Sequence, residues 1–434
     1  MPEMPNKYPV NNLMPTDKTL YKCKRPLSYL VIGILCLSTA GCATGPRSLE
    51  ANRLIYNEAI KSTSEAQLLL NIVRLRYNDT PSSLAVSAIA TQSEVQKNFS
   101  LTPFFGVSGG DPAQRFAALL PQAQISTTDR PTITLTPLDD QEFTRKLFTP
   151  MTLDGVLYLT KTTWPISTVF RLWLENLNWV SNAQNGSGPT LKNLPDYTEF
   201  LRGINALQAL QDRGHIVFST EEREEPQGTV ASAPMAHDLL DAAKEGYEFR
   251  PDYNNTLALV KKSRQPVMRV HPEALASAEM RELAQVFGLR PGLSKYDLKI
   301  ENLDPFKINH PPDGVDVLDL ETRSLLQVLY FVSKGLDVPV EHMKRGFVQA
   351  TTDETGQPFD WRKITDNLFH VYSANGGKPP NAHVAVKYLD YWFYIDKADQ
   401  DTMATFSLLM QLARLETSGK TGLGPALTLP LSGR

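Results

Sequence analysis

The chain has 434 residues, 41% of them hydrophobic and 21% charged, with 44 basic residues against 47 acidic ones. These are the proportions of a globular chain, long enough for about two or three domains. With a net charge of −3 and no basic run, they exclude the electrostatic footprint of a nucleic-acid-binding protein.

The first forty residues do not read as part of a fold. Lys18, Lys22, Lys24 and Arg25 form a positive region, and an uncharged stretch follows from Leu27 to Gly41 and ends at Cys42. A basic segment, a short apolar one and then small residues make the pattern of an export signal. Crossing a bilayer takes ~20 mostly apolar residues, and the greasy part here, 27–37, is about half of that, so cleavage is expected rather than retention. Leu37-Ser38-Thr39-Ala40-Gly41-Cys42 resembles the lipobox of bacterial lipoproteins, with Thr39 where the commonest form has Leu. That resemblance implies cleavage between Gly41 and Cys42 and a membrane partner engaged through acyl chains on the Cys42 sulfur. In Gram-negative lipoproteins an Asp after the cysteine favours the inner membrane. Ala43 therefore implies the outer membrane, facing the periplasm.

All three cysteines, Cys23, Cys36 and Cys42, lie in this signal or at its end, so no disulfide and no thiolate metal site is expected beyond it. Five basic and two acidic residues leave with the signal, and the remaining 393 residues carry a charge of −6. A mildly acidic body adds no electrostatic help to membrane binding, so anchoring rests on the lipid.

Residues 42–48 form a short tether that reaches roughly 20 Å when extended. A helix-rich domain is expected over 49–219. Helical spacing marks 49–60 and 64–77, the second apolar around most of its circumference, then 166–180 and 199–213, with Gly214 as a stop and a strand from 215 to 219. The acidic run TEEREEPQGTVASAP lies in a linker or long loop expected over 220–235. An α+β domain follows over 236–421. It has an antiparallel meander of 247–250, 256–261 and 266–271, a helix over 273–287, and strands 368–373 and 383–388 that pair with each other. Three segments share a strand, an acidic turn and an amphipathic helix: 132–147, 315–334 and 392–415. Asp at a helix entrance caps free N–H groups and suits the positive end of the dipole. An extended tail, 422–434, is shaped to add a strand to a partner's sheet edge. The fold class expected is α+β, helix-rich first and sheet-plus-helix later.

The catalytic motifs are few. Gly106-Val107-Ser108-Gly109-Gly110 matches a nucleophile elbow. The helix that should follow Ser108 at once is displaced by Asp111-Pro112, so Ser108 is a weak candidate for a serine hydrolase. Gly419-Lys420-Thr421 echoes a phosphate loop, but the required earlier glycine is Arg414 and Pro425 blocks the helix. No pair of the seven histidines has metal-ligand spacing, and no cofactor is implied. Asn71 and Arg74 stand on a largely apolar helix, with Asp79 beyond it as the nearest carboxylate. A structural polar clamp is the expected role, since a buried arginine must be paired.

The stretches 68–89, 130–151, 320–339, 404–415 and 426–430 resemble a group of uncharacterised bacterial envelope lipoproteins, over most of the chain after the signal. No activity comes with that resemblance. The expectation is a non-enzymatic, lipid-anchored envelope protein that acts as a scaffold or assembly partner for other envelope proteins. The alternatives are a lipid-anchored serine hydrolase using Ser108, or a binding protein for a small envelope ligand.

Overall fold

The computed structural model describes residues 44–82, 84–107, 115–137, 141–162, 164–189, 193–230, 235–251, 256–300, 314–353, 355–417 and 427–430. Cys42, Gly41, Ser108 and the phosphate-loop echo at 419–421 lie outside these. The chain divides into two compact units, Met1–Lys61 and Ser62–Arg434. The described part of the first is helical, with Leu54 and Ile55 exposed and Glu58 paired to Lys61 at 3.7 Å.

Helix and sheet are mixed throughout, and the fold class is α+β. The first helix, α1 (Thr44–Arg76), is continuous where two helices were expected. The intervening Lys61-Ser62-Thr63-Ser64 holds no glycine or proline to stop it. Leu69, Ile72 and Val73 of this helix are fully buried in the core.

A long β-ribbon follows. Strands β1 (Leu84–Val107) and β2 (Arg115–Pro137) pair antiparallel from Leu84↔Pro137 to Val107↔Arg115, with a single irregularity between Val86 and Ala88. At about 3.3 Å per residue the ribbon is roughly 80 Å long. A strand from the C-terminal tail, β13 (Leu427–Pro430), pairs with its base from Leu427↔Leu135 to Pro430↔Thr132. The tail, expected to reach a partner's sheet, thus adds a strand to this chain's own. Among the described residues no further strand joins this sheet, and no other element makes more than slight contact with β1 or β2.

The body is built on a seven-stranded sheet. Its strands are β3 (Leu174–Leu177), β4 (Val180–Ser181), β5 (Ile216–Val230), β6 (Tyr247–Pro251), β7 (Leu257–Val270), β8 (Lys295–Lys299) and β9 (Val317–Thr322). The order is β4-β3-β9-β8-β7-β5, with β6 also on β7; only β8 and β9 run parallel. The helix expected over 166–180 ends at Trp173, and the chain turns into β3 and β4. Asn178 and Trp179, at φ 46° and 66°, make a two-residue left-handed turn of the kind that closes tight hairpins.

The acidic run expected as a linker is instead most of β5, paired with β7 from Ile216↔Val270 to Val230↔Leu257. Charge complementarity explains it. Glu222, Glu224 and Glu225 stand opposite Arg264, Lys262 and Lys261, and cross-strand opposite charges favour pairing. Arg250 grips Glu224 with two bonds of 2.7 and 2.5 Å, and Arg223 does the same to Asp297 on β8 at 2.6 and 2.5 Å. The chain therefore does not divide at 220–235. Strands from both sides share one sheet, and Phe170, Phe200, Leu320, Phe331 and Leu409 belong to one core.

The last sheet also departs from the expected pairing. Strands β10 (Tyr372–Ala374) and β11 (Ala382–Tyr388) do not pair with each other; both pair with β12 (Tyr391–Asp396), which lies between them. The Asp expected as helix cap at 319 lies inside β9. Ser324 caps the next helix, Leu325–Ser333, and its Oγ accepts from the Gln327 amide while the Gln327 side chain accepts from the Ser324 amide.

That helix is followed by Gly335, whose carbonyl accepts from Val371 N–H at 3.0 Å. A Cβ there would fall inside contact distance of the Phe369 carbonyl, a backbone atom that cannot step aside. Gly335→Ala is expected to lower the unfolding free energy by ~1–3 kcal/mol, the usual cost of overpacking. Gly377→Ala, where a Cβ meets open space, should leave it unchanged. Urea unfolding of both variants decides, and equal midpoints would contradict the packing described.

Candidate functional site

The residues singled out near the end of α1 come together. Asn78 is left-handed at φ 56°, and it turns the chain so that Asp79 N–H donates back to the Arg74 carbonyl at 2.9 Å. Asn71 Oδ1 accepts from Ser82 N–H at 3.1 Å, and the Arg74 guanidinium donates to Ser82 Oγ at 3.1 Å. Arg74 Nε lies 3.9 Å from Asp79 Oδ2, which also accepts from the Tyr388 hydroxyl at 3.0 Å. This tie fastens the loop after α1 to β11. Asn71 is buried and Arg74 is partly exposed, so the buried guanidinium here is that of Arg76. Arg76 donates to the Gln349 carbonyl at 3.2 Å, its Nε has no partner among the described residues, and burial pushes the guanidinium down to about 10.

Two further buried cations stand at the two ends of the helix Leu325–Ser333, Arg323 before it and Lys334 after it. Arg323, 0% exposed, donates to the carbonyls of Arg171 (2.9 Å), Leu172 (3.1 Å) and Asn182 (2.5 Å) and to Ser187 Oγ (2.7 Å). Its guanidinium lies 4.0 Å from the Phe331 ring centre. Burial pushes it down to about 9, still cationic at neutral pH. Asn182 and Asn178, both buried, extend the same service. Asn182 donates to the Arg171 and Leu174 carbonyls, and Asn178 donates to those of Phe287 and Val317 while accepting from Asp319 N–H. Lys334 donates to the Gly188 carbonyl at 3.1 Å; burial, helped by nearby Arg76, pushes it down to about 7. These groups line neither groove described next. Their chemistry is the satisfaction of backbone carbonyls.

Two grooves open on the body. The larger, about 560 Å³, is walled by Tyr158, Trp164, Trp173, Leu325, Leu408 and Leu412, with Arg145 and Lys146 among its lining. The Trp173 indole N–H is buried without a partner among the described residues. The second, about 520 Å³, brings His215 and His271 into a stack 6.1 Å apart, beside a Glu221 that pairs with both Lys295 (2.9 Å) and Arg269 (3.2 Å). The Lys295 hydrogen bond is the main cause that holds the Glu221 carboxyl below its ordinary value. Among the described residues no three His, Cys, Asp or Glu side chains are grouped to hold a metal.

Sequence reasoning missed Arg323, Lys334, Asn178, Asn182 and the His215–His271 stack. Arg323 follows a strand of alternating apolar residues, which hints at burial, but its partners are backbone carbonyls and leave no motif. Ser108 lies outside the described residues. No protein-family model, curated protein or solved structure matches this chain.

Lys334 carries a pH signature. Folded, its amine is neutral above about 7, whereas an exposed lysine holds its proton up to the ordinary 10.5. Between those values the unfolded chain binds more protons, so the stability contributed by this residue rises with pH across that window. Lys334→Met should flatten the rise relative to wild type when urea unfolding is followed from about pH 7 to about pH 10. Parallel curves for the two proteins would show that the amine is not desolvated.

Proposed function

We propose that this is a non-enzymatic envelope lipoprotein: acyl chains on Cys42 hold it on a membrane, and its folded body presents the β-ribbon for assembly. The ribbon is the observation that carries this reading. It extends for roughly 80 Å, yet among the described residues only β13 adds to it. A two-stranded ribbon is at best marginal alone in water, and long open edges are templates for pairing. The lipobox-like segment ending at Cys42 supports the anchor. No helix among the described residues is long and apolar enough to cross a membrane. Ala43 supports the outer membrane, periplasmic face, as the destination.

One observation favours a second reading, a binding role for a small apolar ligand. The groove beside Trp173 is walled by Tyr158, Trp164, Leu325, Leu408 and Leu412, which suits a small apolar molecule.

The anchor is tested by growth with labelled palmitate. Wild-type protein should carry the label and fractionate with membranes, and Cys42→Ser should lose both. A Cys42→Ser protein labelled as strongly as wild type would overturn the anchored reading.

A further inference from the structure

We infer that the groove beside Trp173 holds a single-chain lipid whose anionic headgroup pairs with Arg145. The inference rests on the second reading above, a small apolar ligand in this groove, and names the chemical class of that ligand.

Five helices supply the walls. The end of Gln141–Phe148, the helix Leu153–Thr160, the end of Ile166–Trp173, the start of Leu325–Ser333 and part of Gln400–Thr417 meet around one opening of about 560 Å³. The segment between the first two helices is pinned to the end of β9. Met151 N–H donates to the Arg323 carbonyl at 3.1 Å, and the Met151 carbonyl accepts from the Thr322 hydroxyl at 2.7 Å. Thr152 then caps the second helix by accepting from Gly155 N–H at 3.3 Å. Gly155 lines the opening without a side chain to fill it, and a Cβ there would press on Met151 at 3.0 Å. The space is therefore set by backbone hydrogen bonds, as a pre-formed site requires.

Apolar surface and charge stand on different walls. The buried residues that line the groove are Leu159, Trp173, Leu325 and Leu408, all apolar or aromatic. Tyr158 beside them is 74% exposed, and its ring has area left to bury against a chain. Arg145 and Lys146 come from the last turn of the first helix and also line the groove. Among the described residues no Asp or Glu lines it. The helix end does not occupy the Arg145 side chain, because the Arg145 carbonyl accepts from the Thr149 N–H at 3.0 Å and the Thr149 hydroxyl at 2.8 Å. Arg145 is exposed, and its guanidinium has no carboxylate partner among the described residues.

Charge complementarity then selects the occupant. A neutral apolar molecule would leave the guanidinium unmatched, and a small free anion would leave the apolar walls wet. One apolar chain ending in a carboxylate or phosphate meets both, since an arginine binds such groups through paired, charge-assisted hydrogen bonds.

The test uses the full chain with its anchor in phosphatidylcholine nanodiscs, titrated with a palmitate analogue that carries a photoreactive diazirine on its chain. Wild type should crosslink saturably at groove residues within 151–173 and 408–412, located by peptide mass spectrometry. Palmitate or lysophosphatidylglycerol should displace the probe at least about tenfold better than monopalmitoylglycerol, a neutral single chain. The stronger of the two anionic competitors tells a carboxylate headgroup from a phosphate one. Arg145→Glu should weaken probe binding at least about tenfold, and Arg145→Lys should keep most of it. Both variants should retain the wild-type circular dichroism, because the side chain is exposed. Equal displacement by the neutral glyceride, or an unchanged titration in Arg145→Glu, would overturn the headgroup assignment and leave an apolar ligand in the groove. Absence of saturable crosslinking at these residues would sink the groove reading together with it.

Discussion

Arg323 holds the corner on which the body turns. Its guanidinium is buried and donates to three backbone carbonyls left over where the helix Ile166–Trp173 gives way to β3 and β4. A buried carbonyl without a donor costs about 1–3 kcal/mol, and this turn would strand several at once. Asn182 and Asn178 meet the remaining ones, so the crossing of helix, hairpin and β9 is fixed by donors reaching backbone. The apolar core around Phe170, Phe331 and Leu320 can close only because those polar groups are satisfied inside it.

The ribbon presents the same constraint unsolved. Each of its strands satisfies one edge within the hairpin and, among the described residues, leaves the other open, apart from the short cover that β13 gives at the base. In water those groups are solvated, and in a bilayer they are not. The body is complete as a folded object, whereas the ribbon acquires a full set of hydrogen bonds only from other strands.

Local pattern made much of the body legible. The helix Thr198–Asp212 with Gly214 behind it, and β12 followed by the helix Gln400–Thr417, follow from periodicity and caps within a few residues. Asn71, Arg74 and Asp79 were readable as one cluster because they are at most eight positions apart; Tyr388, which completes it, is 309 residues away from Asp79. The failures share a cause in long-range pairing. EEREE looked like a linker because its matching KKSR stands across a sheet, some forty residues later. The ribbon was hidden because proline and glycine interrupt its strands at Pro103, Gly106, Pro121 and Pro131, and short alternating stretches carry a weaker signal than a helix does. Segment 166–180 has the apolar spacing of a helix throughout, yet β9 captures its second half as a strand.

Amide hydrogen exchange along residues 99–107, read at single-residue resolution in lipid vesicles, addresses the central claim directly. In an open two-stranded ribbon every second N–H faces outward and exchanges rapidly. In a ribbon whose edges are joined by further strands both sets are bonded. Protection of consecutive non-proline amides across 99–107 is the result predicted here, and alternating fast and slow exchange along that strand would contradict it.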